Sequence, residues 1–157
     1  MKATGIVRRI DDLGRVVVPK EIRRTLRIKE SDPLEIFTDR DGKIILKKYS
    51  PIGELGEFAK DYAQSLAQVS GYTVCIADHD QIIAASGKRA KEYAGRLIDE
   101  ELEAIISNRK TVKLAKKEAV RLIQNDAGGY QSQVISVITS LGDCVGAVII
   151  FSDDGEK

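Results

Sequence analysis

The run Gly5-Ile6-Val7-Arg8-Arg9-Ile10-Asp11-Asp12-Leu13-Gly14-Arg15-Val16-Val17-Val18-Pro19-Lys20-Glu21-Ile22-Arg23-Arg24-Thr25-Leu26 decides how the first third of the chain folds. Two apolar segments, Gly5–Ile10 and Arg15–Val18, flank Asp11-Asp12-Leu13-Gly14, where glycine can supply the positive φ of a tight hairpin. Pro19 suits the first position of a helix, because its missing N–H is no loss there. In the helix that follows, Ile22 and Leu26 share one side and Arg23 and Arg27 another. Strands are also expected at Leu34–Thr38 and Lys43–Tyr49, joined by Asp39-Arg40-Asp41-Gly42. Leu34 and Ile36 then alternate with Glu35 and Phe37, the pattern of a half-buried strand. The first segment does not alternate cleanly, so its faces stay unassigned.

Arg8, Arg9, Arg15, Arg23 and Arg24 fall within 17 positions of this unit. A guanidinium stays charged and can bond two phosphate oxygens, or a guanine edge, at once. Alternatively, Arg23 and Arg27 only solvate a helix, and Arg8 or Arg9 pairs with Asp11 or Asp12. The net charge of +1 is uninformative, but its distribution is not. Residues 1–49 hold 13 Lys/Arg against 8 Asp/Glu, and the remainder 12 against 16, so a basic module precedes an acidic one. Some 49 residues without a metal or disulfide bury little apolar surface. Isolated hairpins are marginal in water. A homodimer whose hairpins complete one core resolves the difficulty.

With 43% apolar and 31% charged residues, the chain reads as globular rather than disordered. Ser50-Pro51-Ile52-Gly53 looks like a linker. From Glu54 to Ser70, Leu55, Ala59, Tyr62, Leu66 and Val69 recur at spacings of four and three. They form a short stripe that either packs on its own domain or pairs with a second chain. Tyr72–Ala77 and Gln81–Ser86 suggest a hairpin about Asp78-His79-Asp80. Asp99 can cap a helix with an acidic start (Glu100, Glu101), an apolar face (Leu102, Ile105, Ile106) and a basic end (Arg109, Lys110). Thr111–Leu114, Val120–Gln124, Gln133–Thr139 and Cys144–Phe151 read as strands, giving an α+β domain. The expected division is 1–50, a helix-bearing connection 51–70, and 71–157.

Catalytic chemistry finds few parts. His79 is the single histidine and sits in an expected turn. Asp78 and Asp80 flank that turn, where forming it is aspartate's commoner role. Cys75 and Cys144 lie in apolar runs without Cys-x-x-Cys spacing and read as reduced core thiols. Gly87-Lys88 resembles a phosphate loop, but Ile82 and Arg89 occupy two of its required positions. The residues call for no cofactor and no metal, and the protein is expected not to be an enzyme. No signal peptide or membrane span is visible, since the apolar run Cys144–Phe151 is far short of ~20 residues. The chain reads as cytoplasmic.

Thr4 through Pro19, with Ile22-Arg23-Arg24-Thr25-Leu26 and Ile44-Ile45-Leu46-Lys47-Lys48-Tyr49, resembles the AbrB-type DNA-binding module of bacterial transition-state regulators. The whole chain is similar to sporulation regulators that join this module to a C-terminal GAF-like domain. The resemblance implies an intertwined dimer forming a swapped-hairpin β-barrel, with Arg8, Arg15, Arg23 and Arg24 facing DNA and Arg9 and Lys20 as further candidates. It implies loosely defined AT-rich double-stranded sites, read through shape and backbone contacts. Further implications are both activation and repression in the forespore, nucleoid association and assembly to a tetramer. Proteins of this kind carry a further helix after the last strand, for which 153–157 is too short and too acidic. Ligand residues do not transfer, so any small-molecule effector is unknown. Two other readings remain. An antitoxin would bind a toxin and its own operator, although antitoxins generally end in a flexible extension and 71–152 looks folded. A small-molecule sensor would use its basic half only for solubility.

Overall fold

The computed structural model describes residues 2–153. Contacts divide the chain into two compact units, Met1–Tyr49 and Ser50–Lys157. The tail 154–157, with the expectation about a last helix, lies outside the described residues.

The N-terminal unit contains helix α1 (Lys20–Thr25) and strands β1 (Leu34–Thr38) and β2 (Ile44–Lys48). β1 and β2 pair antiparallel, with Leu34 opposite Lys48, Ile36 opposite Leu46 and Thr38 opposite Ile44. These pairs share one face, and Glu35–Lys47 and Phe37–Ile45 share the other.

One turn geometry is used twice. The Asp11 N–H donates to Arg15 O at 3.0 Å, and the Gly14 N–H donates to Asp11 O at 3.1 Å. Asp11 Oδ1 accepts from the N–H groups of Leu13 (3.0 Å) and Arg15 (2.8 Å). Asp39 repeats the pattern with Lys43 O, the Gly42 N–H, and the N–H groups of Asp41 and Lys43. Gly14 and Gly42 have φ of +74° and +78°, the left-handed conformation that requires glycine in both copies.

Segments 5–10 and 15–18 are not strands within the chain, contrary to the sequence expectation. Among the described residues no named strand of the chain pairs with them. Among the described residues of this unit only Pro19 is buried. Thirteen large apolar side chains, from Ile6 to Tyr49, are exposed.

The C-terminal unit is a five-stranded antiparallel sheet of order β4-β3-β7-β6-β5. Its strands are β3 (Thr73–Ala77), β4 (Ile82–Ser86), β5 (Val112–Ala115), β6 (Tyr130–Ser140) and β7 (Asp143–Asp153). Helix α2 (Gly56–Ser70), entered through a 3-10 turn at Gly53–Leu55, lies on β3 and β4. Short α3 (Ala90–Tyr93), absent from the sequence expectation, and α4 (Glu100–Ser107) complete the helices. Two apolar layers sandwich the sheet. Cys75, Ala77, Ala147, Ile149 and Phe151 face Tyr93, Ile98, Leu102 and Ile106, whereas Val74, Ile76 and Val145 face the α2 side with Ala59, Ala63 and Ala67. Strands buried on both faces read as continuous apolar runs, as β3 and β7 do.

Asp99 caps α4 as expected, its side chain accepting from the Glu101 N–H at 3.1 Å. Val120–Gln124, expected as a strand, is not one, because other groups already meet its backbone. The Gln133 side chain accepts from Val120 N–H (2.9 Å) and donates to Val120 O (2.8 Å). Glu101 takes the Arg121 N–H, Asp126 the Leu122 N–H, and Leu97 O the Gln124 N–H.

Gly146 lets β7 approach its neighbours. A Cβ there would overlap Ala77 O and stand 2.8 Å from Ile52 Cδ1. Gly146→Ala is therefore expected to destabilise the C-terminal unit by about 1–3 kcal/mol, the usual range for overpacking. A thermal melt followed by calorimetry would show it as a drop of several degrees or more.

Candidate nucleic-acid interface

The six sequence-predicted cations occupy two structural settings. Arg8 and Arg9 precede the Asp11 turn, and Arg15 closes it. Lys20 opens α1, and Arg23 and Arg24 lie in its last turn. All six are exposed. Cations at that end of a helix complement its dipole.

Arg15, rather than Arg8 or Arg9, forms an ion pair with the turn: its Nε donates to Asp11 Oδ2 at 2.8 Å. The Arg15 side chain nevertheless stays 70% exposed, so the pair directs it without withdrawing it from solvent. The backbone N–H of Arg15, followed by its guanidinium, holds the Asp11 carboxyl below the usual carboxylate value. Asp11 therefore carries its charge beside the arginine through the neutral range. Lys43 is clamped differently in the second turn, its Nζ lying 3.0 Å from both Asp39 and Asp41.

Helix α1 has only six residues, no side-chain N-cap and no buried residue. Arg27 does not continue it alongside Arg23, as the sequence spacing had suggested. It adopts φ +54°, outside the helix. The Ile28 N–H reaches Arg23 O at 2.8 Å and the Arg27 N–H reaches Arg24 O at 3.3 Å. This is a Schellman termination with arginine where glycine is the favoured residue. The backbone carbonyls of Arg23 and Arg24 are its two acceptors.

In the C-terminal unit the expected oligomerisation stripe divides. Ala59 is 5% exposed in the unit's own core and Leu66 packs against that core, so neither belongs to the outer row. Leu55, Tyr62 and Val69, seven residues apart, remain exposed, together with Phe58. An alanine row at 59, 63 and 67 carries the internal packing.

The Gly87-Lys88-Arg89 run serves the fold. A Cβ on Gly87 would come within 2.8 Å of Thr73 Cα. Arg89, missed by the sequence reading, bonds Glu92, Asp153 and Gly128 O and lies over the Tyr93, Tyr130 and Phe151 rings. Asp78 holds its turn through the Asp80 and Gln81 N–H groups and accepts from Ser50 Oγ. Both cysteines are free, and burial pushes the Cys75 thiol up to about 12, consistent with a core role. Among the described residues no group of three or more His, Cys, Asp and Glu could hold a metal. No helix among them is long and apolar enough to cross a membrane.

The basic N-terminal unit and the α/β C-terminal unit each match a known family. Residues 54–157 match the family described as "Stage V sporulation protein T C-terminal, transcription factor". Residues 7–54 match "Antidote-toxin recognition MazE, bacterial antitoxin". Stage V sporulation protein T of Bacillus subtilis (strain 168) is 55% identical over 154 residues, spanning 98% of this chain and 86% of that protein. Transition state regulatory protein AbrB of the same organism is 69% identical over 51 residues, 32% of this chain and 52% of that protein. The solution structure of the N-terminal DNA recognition domain of Bacillus subtilis AbrB is 69% identical, covering 32% of this chain and 94% of that one, with a TM-score of 0.29. The chain belongs to the stage V sporulation protein T family.

Proposed function

We infer that this chain is a DNA-binding transcriptional regulator of sporulation, acting as a homodimer whose paired N-terminal units form one swapped-hairpin barrel. Arg8, Arg15, Arg23 and Arg24 face double-stranded, AT-rich DNA, with Arg9 and Lys20 beside them. The supporting observation is the burial imbalance: residues 2–49 bury one side chain and expose thirteen large apolar ones. A second copy offers the missing strand neighbours and the missing core together. The domains are then 1–50 for DNA, 51–70 for the connection and contact between copies, and 71–157 for a GAF-like part. The outer row Leu55, Tyr62 and Val69 pairs copies toward a tetramer. The GAF-like part assists assembly or senses a small-molecule effector. The protein works in the cytoplasm, on the nucleoid.

Binding to an AT-rich duplex, measured against salt beside the oligomer mass, tests this reading. Four phosphate contacts per protomer give a log–log slope of roughly −7 for the dimer. A slope near zero would overturn DNA binding, and a monomeric mass would overturn the barrel. The antitoxin reading predicts a protease-sensitive C-terminal half, against which stands the two-layer core of residues 50–153.

A further inference from the structure

Strand β2 ends in a charge on the wrong face. Lys48 stands opposite Leu34, on the side that carries Ile36, Leu46 and Ile44. Alternation would place an apolar residue there. Its side chain is only 22% exposed. Its Nζ donates to Arg27 O at 2.9 Å and pairs with Asp32 at 3.4 Å. Asp32 Oδ2 also accepts from the Lys29 N–H at 2.8 Å, tying the loop after α1 to the same point.

Arg27 is the residue held at positive φ in the turn that terminates α1. Left-handed backbone disfavours a residue with a Cβ. A six-residue helix has too few internal hydrogen bonds to hold its own geometry. We propose that Lys48 and Asp32 are positioning residues for DNA recognition. They latch the Arg27 turn and thereby fix the backbone of Arg23 and Arg24, whose carbonyls that turn uses. The Lys48 charge is engaged inside the unit and makes no phosphate contact. The inference rests on the reading that Arg23 and Arg24 meet DNA.

Simple electrostatics and positioning make opposite predictions. Asp32→Asn removes a negative charge, so charge alone would tighten DNA binding, whereas loss of the latch weakens it. Lys48→Met is expected to weaken binding about tenfold with an unchanged salt slope. A lost phosphate contact in each protomer would instead make the slope shallower by roughly two. Arg27→Gly added to Lys48→Met removes a further cation, yet is expected to restore most of the affinity, because glycine holds the turn unaided.

Duplex titrations of the full chain across a salt series, with thermal melts alongside, separate the two. Weaker binding by Asp32→Asn and Lys48→Met at constant slope, with rescue by the double variant, supports the latch. Unchanged or tighter binding by Asp32→Asn, a shallower slope for Lys48→Met, or no rescue overturns it. If Lys48→Met fails to fold, the direction of the Asp32→Asn change is decisive by itself. Arg23→Ala serves as the control. If it too binds at full strength, the DNA-binding reading has failed rather than the latch.

Discussion

Replacing Ile36 with aspartate is expected to unfold residues 1–49 and abolish DNA binding, while the C-terminal unit still melts cooperatively. Within one chain there is no reason for so large an effect. Ile36 is 66% exposed, and exposed substitutions away from special features usually stay within about 0.5 kcal/mol. It shares its hairpin face with Leu34, Leu46 and Ile44, and those apolar side chains have no core of their own to enter. If a second copy covers that face, two isoleucines are buried per dimer, about 3–6 kcal/mol of apolar stabilisation. The substitution forfeits this and desolvates two carboxylates as well. At 1.4 kcal/mol per tenfold, the apolar part alone lowers the assembly constant by roughly two to four orders of magnitude. Limited proteolysis of the first 49 residues and a gel shift at matched concentration measure it. Protease resistance and unchanged affinity would mean that the unit is complete as one chain.

Local chemistry was legible in the sequence, and long-range satisfaction was not. Both Asp-Gly turns, the β1–β2 and β3–β4 hairpins, the Asp99 cap and the β6–β7 pair depend on neighbouring residues, and each lies close to where its pattern placed it. The segments 5–10 and 15–18 carry a strand signal, but among the described residues no named strand pairs with them. Val120–Gln124 has the apolar content of a strand, yet Gln133, Asp126 and Glu101 occupy its hydrogen bonds, and no periodicity reveals that. In α2 the large side chains point to one stripe, while the small Ala59, Ala63 and Ala67 do the packing against the sheet. The exposed cations were legible as a set because charge clusters along the chain. Lys48 was legible only as one more lysine until the register put it on the apolar face.

Arg15→Ala and Arg23→Ala are each expected to weaken duplex binding by about thirtyfold or more with little change in folding. Every variant dimer loses the group twice, and a good contact contributes about 1–3 kcal/mol. Neither side chain contributes to a core: both are exposed, and α1 buries nothing. The two losses should differ in kind. Arg15→Ala also frees Asp11, whose carboxylate remains to hold the Leu13 and Arg15 N–H groups but now presents an uncompensated charge toward DNA. Its deficit should therefore shrink in Asp11→Asn/Arg15→Ala, provided the turn survives the exchange. Arg23→Ala leaves no such anion behind, and its deficit should be a clean loss of contact with a shallower salt slope. Gel-shift titration beside a thermal melt separates these outcomes. Unchanged affinity in both single variants, with the melts intact, would remove the arginines from the interface and the basic unit from DNA.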